Sequence, residues 1–290
     1  MKPAAFRYHR PLHLQDALAL LAGQPNARVL AGGQSLMPML NLRLAAPDDL
    51  IDIGRIPVLN GIREKAGAIE IGAMTRQREV EHSELIRARL PLLAQAIGHV
   101  GHQQTRNWGT IGGSLCHLDP SAEIPTVALA FDATLVIDSM RGRREVSMAG
   151  FARGLMTTDL APDELLSAVR LQPWPAGHGS GFCEFARRHG DFAVASAAVL
   201  LVLDKRGAIE RLVLAVGGAA VTPVRLTAAE SALRGMQPDA PALRIATDAV
   251  AAIDTLDDKF VPAWYRARIA AVMVGKAFSM ALANARGQTS

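Results

Sequence analysis

Ala31-Gly32-Gly33-Gln34-Ser35-Leu36 follows the β-prone run Ala27-Arg28-Val29-Leu30 and precedes residues able to open a helix. A Gly-Gly pair at such a place lets backbone N–H groups approach an anion with no Cβ in the way. A second stretch of the same kind, Thr110-Ile111-Gly112-Gly113-Ser114, stands about 79 residues further on. One glycine pair alone reads as an ordinary tight turn. Two of them facing one ligand can hold a diphosphate.

Outward from the first turn, Ala5 to Pro11 reads as a strand and His13 to Ala22 as a helix ending at Gly23. Leu36 to Leu44 reads as a short apolar helix with Pro38 near its start, and Asp49 to Ile53 as a strand. This small α/β layer has no Gly-x-Gly-x-x-Gly and no Gly-Lys-Ser/Thr loop, which disfavours a standard NAD site and a nucleotide-hydrolysing site. Strands follow near Gly61 to Arg63 and Ala68 to Ile71. Thr75 and Ser83 are candidate helix caps, and Pro91 to Val100 reads as an apolar helix. Asp119-Pro120 is expected to start a helix that Pro125 divides in two. Ala133 to Asp138 and Arg144 to Met148 pair as strands, and Leu165 to Leu171 is another. Pro173 to Gly181 is the clearest linker. After it come apolar strands at Ser196 to Leu203 and Ile209 to Val216. Helices follow at Ala228 to Arg234, Pro241 to Ile253 and Pro262 to Ala285, an α+β order of strands first and helices after.

The 290 residues suggest two domains, and half of them are apolar, enough for a sizeable core. No run of about 18 apolar residues spans a membrane, and the N-terminus has no apolar signal core, so a cytoplasmic protein is expected. The formal charge is only +4 with arginine dispersed, which argues against nucleic acid. Two cysteines, Cys116 and Cys183, are too few for a four-thiolate iron–sulfur cluster or a disulfide framework; buried small residues are the expected reading. His99, His102 and His117 lie close together without the companion spacing of a metal site.

Four stretches in register resemble the flavoprotein (medium) subunits of the molybdenum hydroxylases, the carbon monoxide dehydrogenase and xanthine dehydrogenase group. They are Ala31 to Leu36 with Asn41-Leu42-Arg43, Arg106 to Ser114 with Asp119-Pro120, Arg187-Arg188-His189-Gly190-Asp191-Phe192-Ala193, and Gly217-Gly218 with Thr222-Pro223-Val224-Arg225. The resemblance covers nearly the whole chain. It implies an α+β fold: a two-subdomain FAD-binding domain of the PCMH, vanillyl-alcohol-oxidase-like type, followed by a small C-terminal domain of the CO dehydrogenase flavoprotein type. The expected boundaries are 1–176 (subdomains about 1–55 and 56–176) and 177–290. It also implies an oxidoreductase subunit carrying FAD, with molybdenum pterin on a large subunit and two [2Fe–2S] clusters on a small one, assembled as a dimer of heterotrimers. Electrons would pass from the clusters to FAD and on to an external acceptor. A stand-alone FAD-dependent oxidoreductase of the same superfamily is the alternative, and a flavin-binding assembly scaffold a third reading.

The protein's share of such chemistry is binding, positioning and electronic tuning. The resemblance places the cofactor against Val29, Leu30, Ala31, Gly32, Gly33, Gln34, Ser35 and Leu36 of the first turn, and Thr110, Ile111, Gly112, Gly113 and Ser114 of the second. The glycines would meet the diphosphate by N–H groups, and Ser35 and Ser114 either add hydroxyl donors or only cap helices. Glu123 stands where the family has an acid facing the ribityl chain; the other reading is a solvated first-turn acid. Leu166 matches a position whose backbone reaches the flavin ring; on the sequence alone a core strand leucine is the stronger reading. Phe192 replaces the tyrosine many relatives carry beside the flavin. Relatives often place a lysine near Glu184, so their redox tuning does not carry over. Trp108 covers part of the cofactor or belongs to a core or interface. No residue is assigned a catalytic role.

Overall fold

The computed structural model describes residues 1–287; the last three residues of the expected C-terminal domain lie outside them. The chain is α+β and builds three main sheets in succession, with a two-stranded ribbon beside the second.

The first is small and parallel. Strands β1 (Arg7–His9), β2 (Ala27–Leu30) and β3 (Asp49–Asp52) lie in the order β1-β3-β2. Parallel neighbours need crossovers, which are α1 (Leu14–Gly23) and the short α2 (Leu36–Asn41). Helix α1 turns Ala17, Leu18 and Leu21 onto Ile51 and Ile53. Asp49 bridges the strands, accepting from Arg7 Nε at 2.8 Å with His9 Nε2 at 2.7 Å. Arg7 and His9 together hold its carboxyl down at about 2.

The second unit opens with β4 (Ile62–Lys65) and β5 (Ala68–Gly72). Helices α3 (Gln77–His82), α4 (Glu84–Arg89), α5 (Pro91–Ile97), α6 (Gln103–Trp108), α7 (Ile111–His117) and α8 (Glu123–Ala130) follow. It closes with β6 (Thr134–Ser139), β7 (Gly142–Ser147), the turn-length α9 (Met148–Phe151), the pair β8 (Ala152–Gly154) and β9 (Thr157–Thr158), and β10 (Leu165–Leu171). Five strands form an antiparallel sheet, β4-β5-β10-β6-β7, with a bulge between Leu166 and Ala168.

Several local expectations change here. Thr75 caps no helix: its hydroxyl exchanges hydrogen bonds with the Gly61 N–H and C=O at 3.0 and 3.1 Å, and α3 starts beyond Arg76. Ser83 does cap, accepting from the Ile86 N–H. Pro125 does not divide α8, because it falls in the first turn, where a missing N–H costs nothing. Asp119 caps nothing either and instead closes a turn with the Ser121 N–H at 2.8 Å.

The third unit holds β11 (Gly179–Phe185), β12 (Ala195–Leu203), β13 (Ile209–Gly217) and β14 (Val224–Arg225), antiparallel in that order. Helices α10 (Thr227–Leu233), α11 (Ala240–Asp248) and α12 (Ala263–Ala285) follow. β11 begins inside the stretch that reads as linker. Its glycines serve close packing: a Cβ on Gly181 would lie 2.1 Å from the Ala277 carbonyl oxygen of α12. The sheet is buried on both faces. Ala195, Ala197, Val199 and Leu201 meet α12, while Phe182, Ala198, Leu200, Val213 and Ala215 join the core of the second unit. This explains why β12 is continuously apolar rather than alternating. No helix among the described residues is long and apolar enough to cross a membrane.

Candidate cofactor-binding site

The two glycine stretches are brought together. The first leaves β2 as an open loop in which Gly33 adopts φ +73°, a left-handed conformation that favours glycine. Among the described residues, the N–H groups of Gly32, Gly33, Gln34, Ser35 and Leu36 donate to no protein acceptor. Ser35 precedes α2, but its hydroxyl makes no capping bond. Five consecutive donors on a partly open loop beside a helix start form an anion cradle. Adding a Cβ to Gly32 would bring it 2.2 Å from the Trp108 carbonyl oxygen. The loop thus lies directly on the residues that introduce the second stretch.

The second stretch differs from the sequence expectation. Thr110 caps α7, so Gly112 and Gly113 sit in a helical first turn rather than in a nest. Their donors are spent inside the protein. The Gly113 N–H goes to Thr110 Oγ1 at 3.0 Å and the Gly112 N–H to the Ala73 carbonyl at 2.8 Å. The Ile111 and Ser114 N–H groups go to the carbonyls of Thr75 and Thr110. Gly112 is required by packing, since its Cβ would meet that of Ala73 at 2.5 Å. Gly113 is required by the Thr110 cap, since its Cβ would lie 2.7 Å from Thr110 Oγ1, and the same Cβ would be in ordinary contact, at 3.7 Å, with the Ala31 Cβ of the first loop. The first loop offers the hydrogen bonds, and the second stretch supplies a close, smooth wall.

Arg76, which sequence reasoning missed, donates to the Trp108 carbonyl at this junction, and its guanidinium lies 5.4 Å from the exposed Trp108 ring. It brings a cation beside the cradle, next to a cavity of about 220 Å³ that Arg55, Asn60, Met74 and Glu79 also line. A diphosphate fits this donor set: free N–H groups, a neighbouring guanidinium and no side chain in the way.

The other expected residues lie further out. Val29 and Ala31 pack their side chains against the small first core and leave their backbone to lead into the loop. Glu123 starts α8 and is buried, which pushes its carboxyl up to about 8. Leu166 sends its side chain into the large core beside the β10 bulge. Phe192 is 75% exposed on the loop between β11 and β12, which Gly190 turns at φ +83°. That loop packs on the second unit, since a Cβ on Gly190 would meet the His102 ring at 2.5 Å. His99 was also missed: its Nδ1 lies 3.3 Å from Glu184 Oε1, and the contact raises its tendency to hold a proton. No spacing reveals such a pair, because docking of the third unit creates it. Burial alone pushes the Cys116 thiol up to about 12, so it is inert.

Comparisons with known proteins place the chain in a family. Residues 4–174 match the family described as the FAD binding domain in molybdopterin dehydrogenase. Residues 180–281 match the CO dehydrogenase flavoprotein C-terminal domain. The 6-hydroxypseudooxynicotine dehydrogenase complex subunit alpha of Paenarthrobacter nicotinovorans is 39% identical over 99% of this chain and 97% of its own. The carbon monoxide dehydrogenase medium chain of Hydrogenophaga pseudoflava is 38% identical over 98% and 99%. A solved structure of the carbon monoxide dehydrogenase of that organism, lacking the Mo-pyranopterin moiety, superposes with a TM-score of 0.95 at 38% identity, covering 98% of this chain and 99% of that one. The chain belongs to the FAD-binding medium subunits of the molybdenum hydroxylases, the carbon monoxide dehydrogenase and xanthine dehydrogenase family, and is an FAD-carrying oxidoreductase subunit.

Proposed function

We propose that the chain relays electrons from [2Fe–2S] clusters of a small partner subunit to an external acceptor, within a complex whose large subunit carries the molybdenum pterin. The observation that carries this reading is the run of five N–H groups at Gly32 to Leu36 that meet no acceptor among the described residues, set against α7 with Arg76 alongside. FAD bound there supplies the two-electron chemistry. The chain's own residues bind and orient it. Gly32, Gly33, Gln34, Ser35 and Leu36 take the diphosphate, and Thr110 to Ser114 form the wall through the closeness of their backbone. Glu123 faces the polar chain of the cofactor, and the loop carrying Phe192 controls approach from solvent.

We divide the chain into an FAD-binding domain, 1–176 (subdomains about 1–55 and 56–176), and a C-terminal domain, 177–290; the Pro173–His178 connection and the separate sheets support this. The partners are an iron–sulfur small subunit and a molybdenum large subunit in a dimer of heterotrimers, in the cytoplasm. The two cysteines support placing the clusters elsewhere. Relatives named for carbon monoxide and for a nicotine derivative support leaving substrate choice to the large subunit. Purification of the native complex tests the reading: FAD, molybdenum pterin and two [2Fe–2S] centres are expected in one particle. A lone chain that oxidises a substrate with FAD alone would establish the stand-alone alternative.

A further inference from the structure

Three ionisable side chains from separate segments meet where the β11–β14 sheet docks on the second unit. Glu123 opens α8 and is 7% exposed. Glu184 comes from β11 with a side chain 9% exposed, and His99 follows α5. His99 holds one Glu184 oxygen; the other, Oε2, is buried with no hydrogen-bond partner. Among the described residues, neither carboxyl pairs with an arginine or lysine, although the molecule has many such pairs elsewhere.

The surrounding charges are engaged elsewhere. Asp119, in the loop before α8, adds a further negative charge facing Glu123, and its Oδ1 is taken by the Ser121 N–H. His117 at the end of α7 faces Asp119. Arg225 on β14 is bound to Glu230 and Asp132, Arg211 on β13 lies over Trp174, and Lys276 on α12 faces Cys183. With His99 charged, Glu184 is balanced. Ionising Glu123 as well would leave a buried negative charge with no counter-ion.

We propose that Glu123 carries its proton in this seam and that FAD is retained in a proton-dependent way, with the Glu123 O–H as donor to the cofactor and Glu184 Oε2 as acceptor for one of its hydroxyl or N–H groups. The inference rests on the FAD site proposed above. The gating proton resides on a Glu123 carboxyl oxygen and is lost to solvent as pH rises. Burial is the main force holding it there, with the Glu184 charge adding to it and His99 and the Glu123 N–H opposing it.

The full chain is titrated with FAD by flavin fluorescence between about pH 6.5 and 9. The wild type should bind about tenfold more weakly at the upper end, while Glu123→Gln, a permanent donor, should bind with an almost flat profile. Glu184→Gln should bind severalfold more weakly and keep the slope. Infrared spectra of the FAD-free chain at neutral pH should show a carboxylic C=O band that Glu123→Gln removes. A wild-type slope in Glu123→Gln, or no such band, overturns the proposal and leaves the FAD site standing. Failure of every form to bind FAD at any pH overturns both.

Discussion

A methyl group added at Gly112 and one added at Gly33 should do different damage. At Gly112 it runs into Ala73, both Cβ and carbonyl oxygen, inside the core. Gly112→Ala is expected to cost about 1–3 kcal/mol of stability, seen as a lower melting temperature of the FAD-free chain. At Gly33 the obstacle is the backbone, held at φ +73°, with the Met37 side chain 3.2 Å from an added Cβ; Gly33→Val should cost about 1–3 kcal/mol through strain and also remove bound FAD, read from the flavin absorbance of the purified protein. Retention of FAD by Gly33→Val, or an equal loss of FAD from Gly112→Ala, would contradict the distinction between cradle and wall.

Glu123 also ties stability to pH. Its carboxyl ordinarily titrates at 4.5 and in the fold at about 8, so the folded chain holds a proton that the unfolded chain releases between those values. Stability therefore declines as pH rises through that window, by on the order of 5 kcal/mol, and the loss is complete above it. His99, raised by Glu184, acts in the same direction: its contribution is present at low pH and lost on deprotonation. Urea unfolding of the FAD-free chain at several pH values should show this decline, and Glu123→Gln should flatten most of it. These residue-level features were the least readable in the sequence. The glycine motifs could be seen, but the use of the Gly112 and Gly113 donors depends on Ala73 and Thr110. The His99–Glu184 pair joins positions 85 apart by number and exists only once the third unit has docked.

At the scale of elements, apolar runs told more than caps did. Leu165 to Leu171 is a strand with the expected bounds, and the hairpin of β12 and β13 lies within a residue of its expected limits. β11 was hidden because its glycines, read as linker, are a groove for α12. Gly181→Val is expected to push α12 away from the sheet, with a loss of about 3 kcal/mol or more, and to raise hydrogen exchange along β11 and α12 before the first sheet responds. Arg266 makes α12 a clamp as well. Its guanidinium donates to the carbonyls of Val194 and Gly218, both at 2.9 Å, and to Leu256 and Asp258. A single ammonium cannot reproduce that fork. Arg266→Lys should therefore loosen the Gly190–Ala193 loop, measured as faster proteolytic cleavage there.

For the whole molecule, the shared sheet decides what can stand alone. A fragment of residues 1–176 would expose the core surface now covered by Phe182, Ala198, Leu200, Val213 and Ala215. It should aggregate or bind hydrophobic dye, while the full chain should not; a monomeric, cooperatively folded fragment would contradict this.

The same sheet restricts motion. A sheet that is interior to two cores cannot rock on either side without admitting water to one of them. Hinge opening between the units is therefore closed to this chain as a way of exposing its redox centre. Donor and acceptor must meet a nearly fixed target, and the adjustable part shrinks to the few residues around Gly190 and Phe192. The subunit behaves mechanically as a rigid mount with one soft lip.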